Sequence, residues 1–443
     1  MKKWLLLLLC AGLAWPESEL AVDYRSVVRL ALQENLELRS RELSSQQAEA
    51  RWEIAQAQRN PTLTVNGFYV HNDLNLVRSL EPDRKFIPLA ESQGLDASDL
   101  YVTAQNQMLN RSVLAIPVYT GGRLESQMHR QQHLFEASQS DLQQKRLATV
   151  LEAKGQYLTW LLSDRSLEVA ERSREKARQL RDDTRARFHA GTAQGYDLMQ
   201  GDLAVAQAEQ RYQTARSQRE QERLKLARLL HQPQDQPMRF LDRLGSSQLL
   251  DLEPDPPDDP IELAQRALQQ RPELENLRQT AQAVAEEEGV AEAGRRPQLL
   301  VNLNYDLIGN TLKLRGGFAL ISSLLIPIYD GGAAEAKLGE LRTRTLQLKR
   351  EQLAQAEEVV RQVMLARWAR QEAESRWLVA QATLRRAEEA RRIATRRYEV
   401  GAGTALELVT QTTQVEAADY ALAQADFARM QARATLHWAL GDS

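Results

Sequence analysis

Two acidic residues occupy matched positions in this chain: Asp197 follows Gly191 by six residues, and Glu407 follows Gly401 by six. Each glycine interrupts a long stretch of helix-forming residues, and glycine suits the left-handed or tight backbone that a reversal needs. Two carboxylates held at one height attract cations with an affinity that depends on pH. A plainer reading stands beside it, since both acids fall in the first turn of a following helix, where the dipole favours negative charge. His129 and His133 are four apart, which puts both imidazoles on one helix face at metal-binding spacing. The Arg130-Gln131-Gln132 stretch between them offers no carboxylate or cysteine, so both histidines read as solvated and no metal is expected. With no metal triad, phosphate loop or nucleophile elbow, the pattern predicts neither an enzyme nor a cofactor.

Composition narrows the class. The chain has 443 residues, is 26% charged, and carries a net charge of −3 with both signs interspersed. That balance lacks the one-sided basic field of nucleic-acid binding, so no nucleic-acid partner is expected. Its one cysteine, Cys10, lies in an apolar run from Trp4 to Ala14 behind Lys2 and Lys3. That run is too short to span a bilayer and suits a secretory signal, so residues 1–14 are read as a signal peptide cleaved after Ala14. Lipidation at Cys10 is the weaker alternative, because Leu9 is not the small residue that processing prefers. Past Ala14 no apolar stretch of 18 residues recurs, so any membrane passage must be made of strands.

The elements that position the acids are written twice. Ile116-Pro-Val-Tyr-Thr-Gly-Gly122 returns 210 residues later as Ile326-Pro-Ile-Tyr-Asp-Gly-Gly332, and Arg187-Phe-His-Ala-Gly191 returns at the same offset as Arg397-Tyr-Glu-Val-Gly401. Upstream, Ala31–Leu38 matches Ala267–Leu274, and Arg59-Asn-Pro61 matches Arg295-Arg-Pro297, both at an offset of 236. The 26-residue difference places an insertion between Pro61 and Ile116, inside the first copy's loop. Residues 15–250 form copy one, the Pro-rich and acidic residues 251–260 a surface linker, and residues 261–443 copy two.

Within each copy the period changes. Residues 18–58 and 261–293 have helical composition. After Pro297 the period becomes two, with Leu299, Val301, Leu303, Tyr305 and Leu307 opposite a largely polar row that includes Asn302, Asn304 and Asp306. Leu63, Val65, Gly67 and Tyr69 alternate less cleanly in copy one. Return strands are read near 102–118 and 314–328, so each copy holds one hairpin. Each closes at a strand-to-helix turn, marked by Pro117, Gly121 and Gly122 and by Pro327, Gly331 and Gly332. Helix then runs from Arg123 to Arg187, roughly 100 Å at 1.5 Å per residue. Leu180, Thr184 and Phe188 form a narrow stripe at coiled-coil spacing.

The order helix, hairpin, Ile-Pro-hydrophobic-Tyr-x-Gly-Gly, very long helix, Arg-aromatic-x-x-Gly break, helix, all duplicated, resembles the TolC-like outer-membrane efflux protein family. The resemblance covers nearly the whole mature chain. It implies an α+β membrane protein, a long-helix periplasmic α-barrel continued by a β-barrel of four strands per protomer and twelve in the trimer. It implies a passive export duct for a tripartite efflux or type I secretion system, running from the periplasm to the cell exterior. The implied partners are two further copies in a homotrimer, a periplasmic adaptor (membrane fusion protein), an inner-membrane pump and outer-membrane lipid. The polar row Asn302, Asn304 and Asp306 then lines the lumen, Tyr69, Tyr101 and Tyr305 mark an interfacial belt, and the inserted loop faces the exterior. Gly191, Gly401 and Gly403 fall at the periplasmic tip, where Asp197, Tyr398, Glu407 and Thr410 stand at aperture positions and Glu407 forms a three-fold ring. The arginine expected in the family's latch is Gly403 here, and the second acid is Thr410, so the latch reads as incomplete. The alternative is a periplasmic coiled-coil scaffold or adaptor without a pore, which leaves two alternating hairpins unexplained. The exported substrate is not legible.

Overall fold

The structure, a computed structural model, describes residues 20–71, 73, 106–191, 193–310 and 313–442. The signal-peptide reading, Cys10, Tyr101 and nearly all of the inserted loop lie outside these residues. The chain runs β1 (Leu20–Val22), α1 (Tyr24–Glu34), α2 (Leu36–Ala57), β2 (Thr62–His71), β3 (Asn106–Tyr119), α3 (Arg123–His189) and α4 (Gly195–Leu229). It continues through β4 (Met238–Phe240), α5 (Ser247–Leu250), α6 (Pro260–Gln270), α7 (Pro272–Ala293), β5 (Gln298–Asn310), β6 (Lys313–Leu325), α8 (Ala333–Glu399) and α9 (Ala405–Leu440). Helices α3 and α8 have 67 residues each, and α2 and α7 have 22 each.

Two compact units emerge, and neither coincides with one copy of the duplication. The first gathers residues up to Ser44, Gln139–Asn276 and residues from Gln352 onward; the second gathers Ser45–Ser138 and Leu277–Glu351. Each unit therefore takes elements from both copies.

The first unit is helical and holds the largest buried side chains. Val22, Tyr24, Val27, Tyr157, Leu158, Trp160, Leu226, Leu249 and Met430 form its main core, and Leu263, Val359, Val363, Leu436 and Leu440 a second one. A short parallel ribbon of β1 and β4 edges the main core. Phe240 of that ribbon stacks on Trp160 with ring centroids 3.4 Å apart. Asp242 receives the Tyr24 backbone N–H at 2.7 Å and the Tyr157 hydroxyl at 2.9 Å.

Residues 251–260, read as a surface linker, belong to this unit and are mostly exposed, with Glu253 turned inward. Glu253 is 4% exposed, with its Oε1 2.6 Å from Lys154 Nζ and 3.1 Å from the Tyr24 hydroxyl. Asp255 pairs with Arg433 and Arg370, Asp258 with Arg367 and Arg370, and the Pro254 carbonyl lies 2.8 Å from His437 Nε2. The segment is irregular at its first three prolines, and Asp255 and Asp258 are paired with arginines more than 100 residues away in the chain.

The second unit holds a four-stranded antiparallel sheet in the order β2-β3-β5-β6. Strand β2 opposite β3 and β5 opposite β6 are the two hairpins, and β3 beside β5 joins them. Pro117 lies within β3, paired with Leu300 at a register shift, rather than in the turn where it was expected. Pro117 has no N–H to donate to the ladder, and a bulge absorbs the irregularity. Strand β6 stops at Leu325, opposite Gln298, the first residue of β5; Pro327 falls beyond it, outside regular structure. The true turns are the glycine pairs, with φ of +69° and +90° at Gly121 and Gly122, and +73° and +86° at Gly331 and Gly332. Asp330 caps α8 by accepting the Gly332 and Ala334 N–H groups at 2.9 and 2.8 Å.

The histidines lie in this unit, and His133, read as solvated, is partly buried against a neighbour. Its Nδ1 is 2.8 Å from Gln279 Oε1 and 3.6 Å from Glu136, while His129 Nδ1 is 3.8 Å from Glu286. The acids missed in sequence come from one helical turn onward and from α7. No cluster of three or more metal-ligating side chains forms among the described residues.

Candidate functional site

In the sheet, the registers separate two faces. Leu63, Val65 and Tyr69 of β2 share one face with Leu114 and Ile116 of β3, Val301, Leu303 and Tyr305 of β5, and Phe318 and Leu320 of β6. Several of these are among the most exposed apolar side chains in the chain: Leu63 is 68%, Phe318 77% and Leu320 70% exposed. Tyr305 packs on Phe318 with centroids 4.6 Å apart. The opposite face is mixed: it carries Thr64, Asn66, Arg111, Asn302, Asn304 and Asp306 together with the exposed Phe68, Ile308 and Ile321. Arg111 and Asp306 lie directly opposite on β3 and β5 and form a two-point pair, with Nε–Oδ1 2.7 Å and Nη2–Oδ2 3.0 Å. Asn304 differs from its row: it is 8% exposed, and its Oδ1 has no hydrogen-bond partner among the described residues.

In the helical unit, the breaks at Gly191 and Gly401 have φ of +74° and +77°, and an added Cβ meets nothing within 4 Å at either. The glycines are required by backbone conformation, not by crowding. Gly403 is different, since an added Cβ there would stand 3.1 Å from the Arg397 Cβ. The site residues then divide by copy. Asp197 completes a capping box at the start of α4, its Oδ2 accepting the Gln194 N–H at 3.1 Å. Glu407 holds Arg397, with Oε1 2.8 Å from Nη1, while its own N–H is capped by the Thr404 hydroxyl at 3.1 Å. Thr410 donates its hydroxyl to the Leu406 carbonyl at 2.8 Å on its own helix.

Tyr398, 9% exposed, does not touch Asp197. Its hydroxyl lies 3.1 Å from Thr184 Oγ1 on α3, and Thr184 directs its hydrogen to the Leu180 carbonyl at 2.8 Å, which makes Tyr398 the donor. The Arg187 guanidinium lies 4.3 Å above the Tyr398 ring centroid, and its Nη1 donates to the Tyr398 carbonyl at 3.1 Å. Gly403 offers no arginine, as the sequence reading has it; within one protomer Arg187 stands over Tyr398 and Arg397 beside Glu407, both from the matched Arg-aromatic motifs. Thr184, counted as a stripe residue, is wholly buried and serves as acceptor, whereas Phe188 of the same stripe is 41% exposed. The signal for Arg187 was present in the repeat, but nothing local indicated that it would reach across to the other copy.

The sequence profile of the family described as "Outer membrane efflux protein" matches residues 27–231 and 263–442. No curated protein matches the chain in sequence. Among solved structures, the chain is similar to CusC, in a structure concerned with folding and transmembrane channel formation, at 18% identity and TM-score 0.78, covering 95% of this chain and 92% of that one. It is similar to the outer membrane protein VceC of Vibrio cholerae at 15% identity and TM-score 0.76, covering 95% and 96%. It is also similar to the open state of the MtrE outer membrane channel of Neisseria gonorrhoeae at 19% identity and TM-score 0.74, covering 95% and 89%.

Proposed function

The chain belongs to the outer membrane efflux protein family, and from that premise we propose that three copies close their sheets into one twelve-stranded barrel. As a family member it is an outer-membrane efflux channel reaching into the periplasm. Its role is that of a passive duct: an inner-membrane pump supplies the energy, a periplasmic adaptor joins pump to channel, and no catalysis takes place in this chain. The duplication, residues 15–250 and 261–443 about a short connection, gives each protomer its two hairpins.

One observation carries this reading: a four-stranded sheet with exposed apolar side chains, a row of Asn302, Asn304 and Asp306 on one face only, and two open edges, β2 and β6. Each unpaired backbone group in hydrocarbon costs several kcal/mol, so the edges must pair with copies of themselves. The apolar face suits lipid, with Tyr69 and Tyr305 as interfacial aromatics, and the face bearing Asn302, Asn304 and Asp306 suits a water-filled lumen. In this reading Asp197, Tyr398, Glu407 and Thr410 lie at the periplasmic aperture, where closure rests on Arg187 against Tyr398 and on Arg397 against Glu407.

Purification in detergent followed by light scattering and planar-bilayer recording tests the proposal. A mass of three chains and a steady ionic conductance are expected. A monomer recovered without detergent, with no conductance, would leave the pore-free scaffold as the better account.

A further inference from the structure

A cavity of about 230 Å³, partly open to solvent, lies against Tyr398 between α3, α4, α8 and α9. A water occupies about 30 Å³, so the space holds a small polyatomic ion with part of its hydration. Lys176, Arg187, Arg211 and Arg391 line it. Two of these cations are engaged: Arg187 with Tyr398, and Arg211 with Glu416 at 3.5 Å. Lys176 and Arg391 have no ion-pair partner among the described residues, and the Arg391 Nε is buried without any acceptor. Buried donors without acceptors are costly, and lysine and arginine can only donate. Thr395, Thr412 and Thr413, also in the wall, direct their hydroxyl hydrogens to their own helices, so the donors left facing the space are the cations and the neutral Ser173 and Gln179. Of the acids lining it, Asp183 and Glu399 are exposed, and Glu416 already faces Arg211.

We propose that this cavity binds a small oxyanion of the phosphate or sulfate class between Lys176 and Arg391. Lys176 and Arg391 are two cations without an ion pair at 4.0 Å or closer among the described residues, and guanidinium groups suit tetrahedral oxyanions. Burial, then the nearby Arg391 and Arg172, holds the Lys176 ammonium below its ordinary range, against the opposing pull of Glu416 and Asp419. An anion between Lys176 and Arg391 relieves that repulsion. Because Lys176 is on α3 and Arg391 on α8, the ion ties the two long helices of one protomer together beside the Tyr398 contact.

The test is equilibrium dialysis of the full chain in detergent against radiolabelled inorganic phosphate, with ionic strength held constant by chloride. One phosphate per chain is expected, displaced by sulfate but not by chloride. Arg391→Gln and Lys176→Gln are each expected to weaken binding about tenfold or more. Arg391→Lys, which keeps the charge, should retain most of the affinity and guards against a glutamine variant that fails to fold. Arg185→Gln, an exposed cation outside the cavity, should bind as wild type does. Absence of phosphate binding above the chloride background overturns the proposal, as does equal loss in Arg185→Gln and Arg391→Gln.

Discussion

Arg187 covers the ring of Tyr398 at 4.3 Å, although its repeat counterpart, Arg397, turns instead to Glu407 within its own copy. The same motif therefore makes a contact between copies once and a contact within a copy once. The buried version is the stronger candidate for holding the aperture. A stacked guanidinium is worth about 0.5–2 kcal/mol, and a neutral hydrogen bond about 1 kcal/mol.

Arg187→Ala should accordingly favour the open tip by about 1–2 kcal/mol, a change of roughly tenfold in the open-to-closed ratio. Tyr398→Phe, which loses only the bond to Thr184, should do less. Single-channel conductance reads both, and an Arg187→Ala conductance equal to wild type would remove this contact from the gate.

The Arg397–Glu407 pair is solvent-exposed, so Glu407→Gln should alter stability by less than about 1 kcal/mol. Its effect should appear in selectivity. Three Glu407 charges disappear and three Arg397 charges lose their partners, so the reversal potential in a salt gradient should move toward anion preference. An unmoved reversal potential would place Glu407 outside the conduction path.

Arg111 and Asp306 report which face of the sheet is wet. In a water-filled lumen, Asp306→Ala, which leaves Arg111 unpaired, should lower trimer stability by no more than about 1 kcal/mol. Against lipid, a lone charge near the midplane costs about 2–4 kcal/mol. Thermal dissociation of the trimer on denaturing gels separates the two, and a large loss would reverse the assignment of faces.

Glu253 and Lys154 are an inward-facing pair. Removing the carboxylate leaves a buried ammonium without its partner, so Glu253→Ala should destabilise by about 3–5 kcal/mol, measured by thermal melting in detergent. Asp258→Ala, which removes a more exposed acid of the same segment, should cost far less. Similar losses in the two would show that Glu253 is not the anchor.

Burial raises the Glu416 carboxyl above its ordinary range, against the opposing effect of Arg211 and Lys176. A folded pKa above the unfolded one means that the folded chain holds this proton more tightly. Its contribution to stability is fullest below the unfolded value and is lost as pH rises through the folded one. At neutral pH the wild type carries the cost of an ionised, half-buried carboxylate, so Glu416→Gln should melt higher there. That advantage should shrink on acidification, and a difference independent of pH would refute the assignment.

Much of the fold was legible because duplication and periodicity are local properties. The offset of 210 residues paired Arg187 with Arg397 and Asp197 with Glu407, and the period of two located the β5 face. Pro117 was misplaced because a bulge lets a strand continue through proline, which depends on the neighbouring β5. The ties of the linker were not legible for a related reason: the prolines mark an irregular segment, but Arg367, Arg370 and Arg433, which bind its Asp255 and Asp258, lie more than 100 residues away.

By itself the sequence determined the helices, the hairpins, the glycine breaks and their twofold repetition, since backbone preference and side-chain period act over a few residues. Tertiary structure alone decided that Tyr398 meets Thr184 and Arg187 rather than Asp197, and that Lys176 and Arg391 face one cavity without partners. Those contacts join residues about two hundred positions apart, and which of two equivalent arginines reaches across is set by helix packing, on which the repeated motif is silent.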